Sequence, residues 1–395
     1  MIPVNEPLLA KNALKYVSEC IETGWISSAG SYIKKFEEKF AEYLSIKYAI
    51  STTSGTTALH LALASLDIGK DDEVIIPALT MIAVPYAVLY TGALPALIDV
   101  DPEIFNIAPE KIADFIERKC KHDPHSKQLI DKSTNRVVKA IMPVHLYGHP
   151  CPMDEIMEIA KKYDLYVIED AAEAHGALYS SKGNGEIILK AGSIGDVGCF
   201  SFYANKIITT GEGGMVVTDS EKIAGKARRL KDLAHSPEKR FYHTELAFNY
   251  RMTNMQAAVG FAQMEEIDRF IEIKRGMAFK YKELLGNMEG LTLPVEKEWA
   301  QSVYWMYSVL VEKNFGLSRD EFMRKLREEG VDTRTFFIPV NEQPLFQDNE
   351  IYRASSFSVA RELSEKGLYL PSGLALSEEQ MVQVSNAIKK IKKTS

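Results

Sequence analysis

Up to about residue 220 the chain alternates short apolar runs with amphipathic stretches of helical period. The runs 73–77, 94–100, 137–144, 165–170, 198–203 and 213–218 read as strands, and 109–120, 153–163 and 222–233 read as the helices crossing between them. Nearly continuous apolar character, instead of alternation, is what a strand shows when both faces of its sheet are covered, so the pattern predicts a mostly parallel sheet with helices on both sides. Beyond Asn254 the rhythm changes: one long helix is expected over 255–285, then a smaller α/β arrangement from 304–311, 319–330, 331–337 and a closing helix at 377–392. The expected division is a large domain over 1–254 and a small one over 255–395. Residues 119–136 are polar and charged and too long for an ordinary crossover, which makes them a surface excursion or a partner contact.

Three strand ends carry candidate chemistry. Lys206 follows the apolar run Phe200-Ser201-Phe202 and precedes the return Gly211-Glu212-Gly213-Gly214, so it can be held at the mouth of a sheet as a Schiff-base lysine. A lysine among 47 basic residues is ordinarily a surface group, and its company is what counts. The run 165–170 ends in Glu169 and Asp170, an acid delivered at a strand's carboxyl end. The stretch Tyr48 to Leu59 is a strand, the polar turn Thr52-Thr53-Ser54-Gly55-Thr56, and a helix, and a helix N-terminus is where a phosphate prefers to sit. A phosphate seat, a carboxylate and a lysine meet the needs of pyridoxal 5'-phosphate: Lys206 forms the imine and Asp170 keeps the pyridine nitrogen protonated.

Composition narrows the classes. With 46% apolar and 26% charged residues, 395 residues make an ordinary globular chain. A net charge of -7 disfavours a nucleic-acid or anionic-membrane surface. Neither a signal peptide nor a long apolar span is evident, since Pro77, Pro85 and Pro95 interrupt the longest runs, and a soluble protein is expected. Cys20, Cys120, Cys151 and Cys199 form no C-x-x-C pair and suit free thiols in a reducing cytoplasm. No metal site is expected: Gly148 and Pro150 prevent a helix from aligning His145 with His149, and His122 and His125 fall in a polar stretch.

The segments Ser54-Gly55-Thr56-Thr57-Ala58-Leu59, Glu169-Asp170-Ala171-Ala172-Glu173-Ala174-His175-Gly176, Ser201 to Gly214 and Asn249-Tyr250-Arg251-Met252-Thr253-Asn254-Met255-Gln256-Ala257-Ala258, in this order, resemble the sugar-nucleotide aminotransferases of the DegT/DnrJ/EryC1/StrS family. The resemblance runs from Thr23 to Pro371. It implies the aspartate aminotransferase-like fold type I, with a mostly parallel seven-stranded sheet, and a homodimer with shared active sites. It also implies that Lys206 and Asp170 are catalytic, with Lys206 moving a proton as general base and acid. Gly55, Thr56 and Ser201 match phosphate contacts, and Glu173 the contact to the ring's phenolic oxygen, where many relatives carry glutamine. Asn249 and Arg251 match a segment supplied by the neighbouring subunit, the asparagine reaching the phosphate and Arg251 the substrate. Two departures stand out: Met81 follows Pro77-Ala78-Leu79-Thr80 where relatives place an aromatic ring over the cofactor, and Asn341 stands where they often carry a substrate-contacting histidine. His175 reads as a structural residue beside the site.

The segments 25–32, 119–136 and 298–305 resemble the LegC-type branch of the family. That implies transfer of the amino group of L-glutamate to carbon 4 of a nucleotide-linked 4-keto-6-deoxy-N-acetylhexosamine, for bacillosamine- or legionaminic-type sugars of surface glycans. Residues 203–214 are also very similar to perosamine synthases, which act on GDP-4-keto-6-deoxymannose, and this is the second reading. A non-catalytic sugar-nucleotide sensor is the reading from another class, and Lys206 and Asp170 argue against it.

Overall fold

The computed structural model describes residues 1–123, 128–181, 187–239, 241–353 and 355–394. Seven strands form the main path of a nine-stranded central sheet: β1 (Tyr48–Thr52), β2 (Asp72–Pro77), β3 (Leu94–Ile98), β4 (Val137–Ile141), β5 (Tyr166–Asp170), β6 (Val197–Ser201) and β7 (Gly214–Thr218). Their order is β1-β7-β6-β5-β4-β2-β3. All neighbours are parallel except β7, which runs antiparallel to both β1 and β6. This is the α/β fold type I arrangement, and its strands are as apolar as their position requires: every residue of β2, β6 and β7 is buried. Because β1, β2, β4, β5 and β6 share a direction, their carboxyl ends open onto one edge of the sheet. There the glycine-rich return is a packing necessity, since a Cβ on Gly214 would lie 2.2 Å from the Ser54 carbonyl oxygen.

Four differences from the sequence expectation have identifiable causes. Residues 119–136 are no loose excursion: Cys120–His122 and Leu129–Asp131 pair as an antiparallel hairpin, and Leu129 and Ile130 add to the start of β4. Cys120 and Leu129 are buried under it; the tip, with His125, lies outside the described residues. The expected 255–285 helix is two, Asn254–Met264 and Ile267–Leu285. Between them Glu265 is drawn off by Asn12 and Tyr16, and Glu266 by the Lys11 N–H. Strand β6 stops at Ser201, where the expected run continued to 203, so Phe202 and Tyr203 start the loop that carries Lys206. A small sheet of Leu178–Ser181, Ile187–Lys190 and Ala300–Gln301, which the pattern did not suggest, ties the chain after β5 to the segment leading into Trp305.

The C-terminal part holds an antiparallel sheet of Leu291–Thr292, Tyr307–Val311, Gly367–Leu370 and Arg334–Thr335, with its own core around Tyr281, Tyr307, Phe315 and Phe322. The N-terminus joins this core: Ile2 bridges Val331 and is buried among its residues. Helix Ile267–Leu285 spans both cores, with Phe270 in the larger and Met277, Tyr281 and Leu285 in the smaller. No helix among the described residues is long and apolar enough to cross a membrane.

Candidate active site

Glu169 and Asp170 end β5 side by side, and the alternation of the strand sends them to opposite sides. Successive strand residues point to opposite faces. Glu169 points into the interior, where its two oxygens accept from the N–H groups of Gly192, Ile194 and Gly195 and pair with His145 Nε2 at 2.9 Å. It is a fully bonded structural carboxylate. Asp170 is 5% exposed and accepts from the Ala172 N–H at 3.0 Å. Burial pushes its carboxyl up to about 6, aided by the neighbouring Glu173 and opposed by the Ala172 N–H and Lys206. A buried acid raised in this way favours a cationic hydrogen-bond partner.

Lys206 sits in the loop after β6, its side chain 10% exposed, with Nζ 3.2 Å from Glu173 Oε1. Glu173 Oε2 takes the Tyr147 N–H at 2.9 Å. Tyr147 adopts φ of 54°, a left-handed conformation that a bulky residue rarely occupies, and this turns its N–H onto the carboxylate. The Trp305 ring centroid lies 3.9 Å from Lys206 Nζ. Tyr147 stacks on Trp305 and on Phe337, so an aromatic wall backs the lysine.

The helix Gly55–Ser65 begins beside this group. Ser54 caps it by accepting from the Thr57 N–H, leaving the N–H groups of Gly55 and Thr56 at its open end. A Cβ on Gly55 would lie 2.7 Å from Ser201 Cβ and 3.1 Å from its hydroxyl oxygen. The helix N-terminus and the end of β6 therefore approach as closely as glycine permits, forming a small polar cradle. The cradle suits a phosphate, the buried Asp170 a protonated pyridine, and the enclosed Lys206 amine a carbonyl carbon. The donor set thus fits pyridoxal phosphate.

The remaining candidates are placed differently. Met81 is 46% exposed just beyond β2, and its sulfur accepts from the Ala83 N–H at 3.1 Å. Asn341 is buried: its amide donates to the Ser355 carbonyl at 3.3 Å, while its Oδ1 has no partner among the described residues. Its neighbour Val340 donates to the Ala78 carbonyl, tying that segment to the turn carrying Met81. Asn249 and Arg251 bond to each other at 2.9 Å, and Arg251 pairs with Asp232. Asn249 is exposed and neither residue bonds to the lysine group. His175 packs against Phe200 and Phe202 and is held neutral, its pKa lowered to about 3 by burial and the nearby Lys206. His145 and His149 are engaged with Glu169 and with the Pro150 carbonyl.

Sequence reasoning did not single out Tyr147 or Trp305. Both lie in segments it inspected, one for a metal and one for resemblance, but only the fold brings them to Lys206.

Comparison with known proteins agrees with the geometry. The model of the DegT/DnrJ/EryC1/StrS aminotransferase family matches residues 7–389. The GDP-perosamine synthase of Vibrio cholerae is 38% identical over 98% of this chain and 98% of its own. The solved structure of S. venezuelae DesV superposes with a TM-score of 0.84 at 30% identity, covering 97% of this chain and 94% of that one. NtdA from Bacillus subtilis, solved with bound cofactor PMP, superposes at 0.81 with 28% identity over 97% of this chain and 82% of its own. The chain belongs to the DegT/DnrJ/EryC1/StrS family of pyridoxal phosphate-dependent aminotransferases.

Proposed function

We propose that this protein transfers the amino group of L-glutamate to carbon 4 of a nucleotide-linked 4-keto-6-deoxy sugar. The observation that carries the reading is the enclosed Lys206 amine, bonded to Glu173 within the group that includes Asp170. Lys206 would anchor the cofactor covalently, and its freed amine would then hold and move the proton at the substrate carbon. When the cofactor is bound, Asp170 would pair with its ring nitrogen, Glu173 would serve its phenolic oxygen, and Gly55, Thr56 and Ser201 would hold its phosphate. Met81 is the candidate for covering the ring. The bound cofactor supplies an electron sink for the carbanion next to nitrogen. Burial of Lys206 and Glu173 keeps bulk water from competing for the proton.

For the acceptor, the GDP-linked, non-acetylated sugar takes precedence, because the perosamine synthases of Vibrio cholerae and of Caulobacter vibrioides match essentially end to end, at 38% and 39% identity. The N-acetylhexosamine reading rests on the resemblance of 119–136 and 298–305, the first of which is a formed hairpin on the central sheet. Exposed Asn249 and half-buried Arg251 support a second copy that receives them, as does the unpaired Asn341 Oδ1 a polar contact near the sugar. Four buried free thiols suit the cytoplasm.

The absorption spectrum of the purified protein tests this. L-glutamate should bleach the cofactor band, and one 4-keto sugar nucleotide, offered in acetylated and non-acetylated form, should restore it. Lys206→Ala should give no such cycle. A bound cofactor whose band glutamate leaves unchanged would instead point to a sugar-nucleotide sensor.

A further inference from the structure

Groups from the distant C-terminal part of the chain grip the lysine loop. The Trp305 indole N–H donates to the carbonyl of Asn205, the residue directly before Lys206, at 2.7 Å. The face of the same ring lies 3.9 Å from Lys206 Nζ. One side chain thus holds both the backbone and the amine of the reacting residue. Trp305 is itself held: its carbonyl accepts at 2.6 Å from Nζ of Lys274, which also donates to the Ser372 carbonyl. Ser372 in turn accepts the Tyr307 N–H at 2.9 Å and donates to the Leu370 carbonyl at 2.7 Å.

Lys274 is 1% exposed, and no carboxylate pairs with it in the described residues. Burying an amine without a counter-ion is unfavourable, and a methionine would fill the same space without that cost. What the amine adds is a pair of donors for two carbonyls that have turned inward at the junction of helix Ile267–Leu285 with the loop before Tyr307. The main chain of Trp305 is thereby fixed, and its indole is held at the far end by the Asn205 carbonyl.

We propose that Trp305, locked by Lys274, is a positioning residue for the reaction, holding the Lys206 amine in place whenever it is not bonded to carbon. An aromatic face attracts the ammonium form, so the lysine stays ordered between collecting a proton and delivering it. This rests on Lys206 being the reacting lysine.

The test compares wild type with Trp305→Leu, Trp305→Phe and Lys274→Met as full-length chains. In protein freed of cofactor, the rate at which acetic anhydride labels Lys206 is read by peptide mass mapping against surface lysines. Trp305→Leu should raise it about fivefold, and Trp305→Phe, which keeps a ring face, should bring it back most of the way. Lys274→Met should raise it by a smaller factor. In the loaded enzyme, Trp305→Leu should lower kcat about tenfold with KM for glutamate changed less than twofold. Equal Lys206 labelling in all folded variants would overturn the proposal, as would a phenylalanine variant labelled as fast as the leucine one. If Trp305→Leu does not fold, Lys274→Met and Trp305→Phe carry the comparison. Turnover by Lys206→Ala would overturn the underlying reading of the site, whereas the labelling pattern, measured without cofactor, reports on the clamp alone.

Discussion

Replacing Lys274 by methionine makes a buried amine disappear without opening a cavity, and the consequence for stability depends on pH. Burial lowers the Lys274 pKa from 10.5 to about 7, which corresponds to roughly 5 kcal/mol of unfavourable free energy when the group is fully protonated. Methionine removes that penalty but leaves the carbonyls of Trp305 and Ser372 without their donor, at about 1–3 kcal/mol each. Near pH 6 the two effects are comparable, so the variant should lie within a few kcal/mol of wild type. Between about pH 7 and 10.5 the unfolded chain holds a proton on Lys274 that the folded chain has released. The unfolded state then binds more protons, and wild type gains on the variant by about 1.4 kcal/mol per pH unit. Below pH 7 both states are protonated and the difference is flat. Urea unfolding of wild type and Lys274→Met at pH 6, 7, 8, 9 and 10, followed by far-UV circular dichroism, measures this difference directly. A difference that stays constant across the series, or falls as pH rises, would refute the argument, because it would mean that the folded chain keeps Lys274 charged.

Gly55→Ala should leave secondary structure intact and weaken cofactor retention at least tenfold (roughly 1.4 kcal/mol), since its Cβ would stand 2.7 Å from Ser201 Cβ; a Kd within twofold of wild type by absorbance titration would contradict the cradle. Asp170 titrates near 6 when folded, against an ordinary 3.8, so the folded state binds the extra proton and wild type should lose stability relative to Asp170→Asn as pH rises from about 4 to 6, then level off. Urea midpoints of the cofactor-free proteins at pH 4 to 7 check that window, and a loss on the acid side instead would reverse the assignment. Glu169→Gln should cost about 3 kcal/mol or more, because it disturbs a buried carboxylate engaged by three backbone N–H groups and His145; a change under 1 kcal/mol in urea unfolding would show that the charge is dispensable.

The residues alone determined the sheet's class, the apolar runs and their crossover helices, and the three strands whose carboxyl ends lead to Ser54, Asp170 and Lys206. Those signals are local: burial on both faces leaves its mark on every residue of β2, and a capped helix start after a strand is legible within a dozen positions. The tertiary structure decided what local pattern cannot encode. The 255–285 helix divides at Glu265 and Glu266, where the backbone of Glu266 leaves the helical region and both carboxylates meet donors from near the N-terminus, and residues 119–136 form a hairpin that pairs with the edge left free at the start of β4. Glu169 and Asp170, adjacent and chemically alike, took opposite roles according to which side of the strand met unpaired N–H groups. The aromatic wall behind Lys206 comes from Tyr147, Trp305 and Phe337, whose separation along the chain hides their meeting. Contact between Lys206 and Trp305 exists only once both cores have closed against helix Ile267–Leu285, because that packing alone brings the Lys274 amine beneath the Trp305 carbonyl.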